Sequence, residues 1–164
     1  MEFSLLALPF ALAVVCIIEL GLYFSNAFLL EASVTDASRS IKTGSLQSAP
    51  LDDQEDAFRQ ALCNHVGIVA NCAALQYEVR KLESFTTPIA PVFDEDGNLE
   101  EPVFDASAVT AGCVALVRAA YRYQFVTPFF GHLFGAQDNT RLLMATTIFR
   151  TEPYDLDEQE GCQI

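Results

Sequence analysis

The first thirty residues, MEFSLLALPFALAVVCIIELGLYFSNAFLL, constrain what this chain can fold into more than any other stretch. Between Phe3 and Leu30 the one charged side chain is Glu19. About 20 apolar residues suffice to cross roughly 30 Å of hydrocarbon, so the run is a candidate membrane span. A cleavable secretory signal needs a basic leader and a shorter apolar core, and the first basic residue here is Arg39. A carboxylate in such a run is costly unless it is protonated, paired or hydrogen-bonded, so Glu2 and Glu19 both require a reason.

The helical pattern does not stop where a bilayer would. EASVTDASRSIK keeps helix-compatible residues, with Arg39 and Lys42 near the end and Gly44 as a terminator. A helix of about 40 residues is about 60 Å long, twice the membrane. At helical spacing Glu19, Tyr23, Asn26, Leu30, Ser33, Ala37 and Ser40 form one polar or small-residue stripe, and stripes of that kind face protein rather than lipid. The competing reading is that Glu19 sits near the interface and snorkels outward. Pro9 removes one backbone hydrogen bond from the first turns.

Beyond the polar linker TGSLQSAP, a second helix is signalled by LDDQEDAFRQALCNHVG. Asp52 stands as its N-cap, Glu55 three residues on, and Phe58, Ala61, Leu62, His65 and Val69 form its apolar face. The period then changes to two. LQYEVRKL alternates Leu75, Tyr77 and Val79 against polar residues, and CVALVRAAYRYQF puts Cys113 through Phe125 at odd positions on one face. RLLMATTIFR is apolar on both faces, as a more central strand would be. PVFD occurs twice around an Asp96-Gly97 turn signal. The expected fold is α+β: a long N-terminal helix (1–44), then a small domain (45–154) with a second helix and an antiparallel sheet of about three main strands, and an acidic tail (155–164).

A net charge of −13, from 22 acids against 9 bases, excludes nucleic acid as a partner. Cys63 and Cys72 are a disulfide candidate if the domain lies outside the cytoplasm, or else two separate buried thiols; Cys113 and Cys162 form a second bridge or stay free. Their spacings suit neither a CxxC redox site nor zinc. Asp94, Asp96 and Asn98 imitate a calcium loop, but Leu99 and Asp105 occupy the positions that need glycine and glutamate. No phosphate cradle, nucleophile elbow or paired carboxylates appear, His65 and His132 are far apart in sequence, and no catalytic residue, metal or cofactor is expected. TPFFGHLFG, with Phe129, Phe130 and Phe134, exposes apolar surface to a partner unless it packs down on the protein itself.

The N-terminal stretch from Glu2 to Gly44 resembles that of TadE-like proteins, pseudopilins or minor pilins of the tight-adherence, Flp-type pilus. FRQALCN, NCAALQYEVRKLESF, VALVRAAYRYQFVTP and LLMATTIFRTEPY resemble the soluble-domain landmarks of that family, in the same order, over approximately Glu2 to Tyr154. Thr151 stands where such proteins often carry asparagine.

This resemblance implies a subunit that primes, caps or joins a pilus, with the major pilin, fellow minor pilins, the inner-membrane assembly platform and the lipid bilayer as partners and a prepilin peptidase as processing enzyme. It implies a single-pass protein of the bacterial inner membrane with its head in the periplasm. Glu2 and Phe3 resemble the glutamate and aromatic residue that follow the peptidase cut, where the carboxylate pairs with a neighbouring subunit's terminal amine. Neither a glycine nor a basic leader precedes Glu2, so the expectation is a processed chain or a start upstream. Glu19, in IIELG, is expected with Tyr23 and Asn26 to face a partner helix. The competing function is a membrane-anchored assembly or scaffolding factor that never enters the filament.

Overall fold

The computed structural model describes residues 2–46, 50–66, 71–87, 99, 103–128, 130–133, 137–153 and 162; the side chains of 2–5, 51, 52, 65, 133 and 137 lie outside that description. Helix α1 (Glu2–Lys42) is continuous through Pro9. It closes where Gly44 takes φ 77°, with the Gly44 N–H donating to the Ile41 carbonyl at 3.2 Å. Only a residue without a Cβ enters that region at no steric cost.

Helix α2 (Leu51–Val66) lies beside α1, with Phe58, Leu62 and Val66 fully buried on its apolar face. It begins at Leu51, so Asp52 lies in the first turn rather than before it. Glu55 is used elsewhere: its carboxylate accepts from the Tyr77 hydroxyl at 2.6 Å. Burial first, and then this contact, push the Tyr77 hydroxyl up to about 12.

The sheet has order β2–β1–β3–β4, from β1 (Gln76–Leu82), β2 (Val103–Phe104), β3 (Val114–Gln124) and β4 (Thr140–Arg150). β1–β3 and β3–β4 are antiparallel, while the two-residue β2 runs parallel to β1. The sheet is therefore mixed, with β1 and β3 as its interior strands. β4, expected to be more central, is an edge strand: its apolar residues include Leu143, Ala145 and Phe149, which pack toward the helices rather than between two strands. The second PVFD supplies β2, while the first, the Asp96-Gly97 turn and Asp94, Asp96 and Asn98 lie outside the described residues.

Odd-numbered residues of β1 and β3 (Tyr77, Val79, Ala115, Val117, Ala119, Tyr121, Tyr123) meet Leu30, Val34, Ala37 and Ile41 of α1 and the α2 face in one core. On the opposite face Arg118, 3% exposed, donates to the buried Glu78 at 3.0 Å across β3 and β1, and Arg80 pairs with the other Glu78 oxygen. Both cysteine pairs are disulfides. Cys63–Cys72 ties α2 to the turn before β1, and Cys113–Cys162 brings the tail back to the start of β3. Thr151 supports that corner, its hydroxyl accepting from the Cys113 N–H at 2.9 Å and donating to the Thr110 carbonyl at 2.6 Å.

Candidate functional site

The polar stripe of α1 is the face laid on the head. Glu19 (2% exposed), Asn26, Leu30, Ser33 and Ala37 are all buried, while Leu6, Leu8, Phe10, Leu12, Ile17 and Ile18 stand exposed on the arm before it. The helix thus divides at Glu19 into a bare apolar arm and a half-covered segment. It is long and apolar enough to cross a membrane, with mean hydropathy 2.2 in its most apolar window and almost none of that window buried.

Glu19 is the residue at the division. Its Oε1 accepts from the Val126 N–H at 2.9 Å and the Tyr123 hydroxyl at 3.3 Å; its Oε2 accepts from the Thr127 N–H at 3.0 Å and the Thr127 hydroxyl at 2.8 Å. A buried carboxylate is tolerated when donors replace the water it has lost, and four do so here. One helical turn on, the Tyr23 ring stacks on Phe125 at 5.9 Å and meets Tyr123 edge-on at 5.7 Å. Another turn on, Asn26 Oδ1 accepts from the Tyr121 hydroxyl at 2.7 Å while its Nδ2 donates to the Leu22 carbonyl. Burial, and then Tyr123, push the Tyr121 hydroxyl up to about 12.

The turn that receives Glu19 is built by Asn139. Its carbonyl accepts from the Phe125 N–H at 3.0 Å, its Nδ2 donates to the Phe125 carbonyl at 2.9 Å, and its Oδ1 accepts from the Gly131 N–H at 2.9 Å. Asn139 and Asp138 adopt φ of 55° and 56°, which asparagine and aspartate enter more readily than other side chains. Gly131 leaves the space for this approach, since a Cβ there would meet Asn139 Cα and Oδ1 at 2.5 Å. Phe130 of the short helix α3 (Phe130–Leu133) is buried at 4% and packs toward Phe125.

No family model, curated protein or solved structure matches this chain.

Of the residues singled out from the sequence, Glu19, Tyr23 and Asn26 meet along one seam, and the protein opposite them is the chain's own head. Glu19 neither snorkels nor needs a partner helix to satisfy it in this structure. Phe130, for which the sequence left a partner-facing loop or packing within the protein, is buried in the protein's own aromatic cluster; Phe129 and Phe134 lie outside the described residues. Glu2 and Phe3 open α1, with their side chains outside the description. Sequence reasoning missed the receiving turn, because backbone donors at Val126 and Thr127 leave no signature in residue type. Among the described residues no group of His, Cys, Asp and Glu could hold a metal ion. The remaining free thiol described, Cys16, is half-buried on α1.

Proposed function

We propose that this chain is a membrane-anchored, pilin-like subunit that takes part in assembling a tight-adherence, Flp-type pilus, by priming, capping or joining the filament, from the bacterial inner membrane with its head in the periplasm. The observation that carries the reading is the division of one 41-residue helix into a bare apolar arm and a segment fixed to an α+β head. Such an arm is satisfied by lipid before assembly and by the arms of neighbouring subunits after it, so transfer between the two changes little apolar exposure. The head moves with the arm, because Glu19, Tyr23 and Asn26 join them. Two disulfides suit an oxidising compartment.

The test is the intact mass of the protein recovered from sheared pili and from inner membranes, in cells with and without the prepilin peptidase. A peptidase-dependent form in sheared pili is the expected result. Recovery from membranes alone, at one mass in both strains, would make it an anchored assembly factor and remove the role proposed for Glu2.

A further inference from the structure

The outward face of α1 stays apolar beyond Glu19. Leu22, Phe24 and Phe28 are 43%, 64% and 70% exposed, and the next exposed charge on the helix is Glu31. Wherever the arm begins, a hydrocarbon boundary drawn at Glu19 leaves these side chains in water. Covering Leu22 and Phe24 moves it three to five residues, roughly 5–8 Å, further along the helix. At that level the head is already present, since the Phe125–Pro128 turn receives Glu19.

Three observations fit this turn to lipid. Its backbone donors are satisfied from within: the Phe125 N–H goes to Asn139, those of Val126 and Thr127 go to Glu19, and Pro128 has none, while the Phe125 and Thr127 carbonyls accept from Asn139 Nδ2 and the Phe130 N–H. Internal satisfaction is the condition for backbone to enter hydrocarbon. Its exposed side chains are apolar, Val126 at 74% and Pro128. Charge is also distributed unequally: in a chain of net charge −13, residues 113–151 hold four of the nine bases and one acid, Asp138. Two of those bases, Arg122 and Arg141, are exposed at the Glu19 end of the sheet, and Arg141 shares a shallow cleft with Leu20, Tyr23, Phe24 and Phe125. An apolar wall rimmed by a guanidinium suits an acyl chain and its phosphate.

We propose that the Phe125–Pro128 turn is a membrane wedge: in the anchored protein it enters the lipid interface beside α1, with Val126 among the upper acyl segments and Arg122 and Arg141 at the phosphates. The proposal rests on the reading of α1 as a membrane span. The Glu19 contacts then have a second use, since they make the wedge fit to enter.

The chain contains no tryptophan, so single-tryptophan variants report position directly. The full chain carrying Val126→Trp, Phe85→Trp or Leu12→Trp is placed in phosphatidylcholine–phosphatidylglycerol vesicles whose lipids bear bromine at positions spread along the acyl chains, from their top to their ends. All three sites are exposed, so the fold accepts the larger ring. Quenching of Val126→Trp to at least half the extent of Leu12→Trp, with Phe85→Trp unquenched, is expected. Arg122→Gln with Arg141→Gln should lower the Val126→Trp quenching about twofold and leave Leu12→Trp unchanged. If Val126→Trp behaves like Phe85→Trp while Leu12→Trp is quenched, α1 spans the bilayer and the wedge is refuted; if Leu12→Trp is unquenched, both readings fail.

Discussion

Glu19 concentrates more polar contacts than any other residue of the seam, and its replacement separates hydrogen bonding from packing. Glu19→Leu keeps the apolar contact but strips the acceptors from two part-buried backbone N–H groups, at about 1 kcal/mol for each hydrogen bond lost. In detergent micelles, hydrogen exchange at Val126 and Thr127 should accelerate by roughly tenfold or more, with Glu19→Gln intermediate because one acceptor oxygen remains. Unchanged protection would mean that the turn holds itself. Gly131→Ala tests the other side of the same turn: a methyl 2.5 Å from Asn139 forces the backbone apart, costing roughly 1–3 kcal/mol in chemical denaturation. Tyr77 makes a pH prediction. Its hydroxyl is pushed from 10.0 to about 12 in the folded chain. Folding therefore favours the protonated form, whose stabilisation is complete below 10 and is lost as pH rises toward 12. Tyr77→Phe should flatten the fall in stability across that window; Tyr121, pushed up to about 12 as well, keeps part of it.

At the scale of elements, the two disulfides close loops of different length and should differ in weight. Loop-closure entropy assigns about 2.6 kcal/mol to the separation of 9 between Cys63 and Cys72, and about 4 kcal/mol to the 49 between Cys113 and Cys162. Cys162→Ser should therefore lower the denaturation midpoint more than Cys72→Ser, and the reverse order would place the larger constraint at α2. Elements were legible in the sequence where a local pattern decides them. Gly44 marks the end of α1, and the odd-position residues of β1 and β3 are the ones that meet the core. The position of β4 was not legible, because apolar character reports burial and not which strand lies on either side. The same limit applies to the site: spacing from Glu19 to Ala37 shows a face turned to protein, while the identity of that protein follows from tertiary contact alone. The buried Glu78–Arg118 pair was also invisible, since its members are 40 residues apart and join only through the β1–β3 register.

On the scale of the molecule, the described arm residues up to Ile17 contribute little to the core beyond partial contact by Cys16. A chain beginning at Ile18 should keep both disulfides and the near-ultraviolet dichroism of the full protein, while losing its affinity for vesicles. Loss of the tyrosine signal on truncation would show that the head depends on the arm. The covered part of α1 lies along β3 and β4 from the Glu19–Tyr123 contact at one pole to the Lys42 carbonyl, which accepts from the Glu152 N–H, at the other. That alignment has a mechanical consequence. Tension between an embedded arm and an object held near Cys162 is applied at opposite poles of the head, so it loads the contacts between α1 and the sheet, those of Glu19 among them, along the strand direction, in shear. Many bonds then share the force at once, whereas a pull across the sheet would part them one after another.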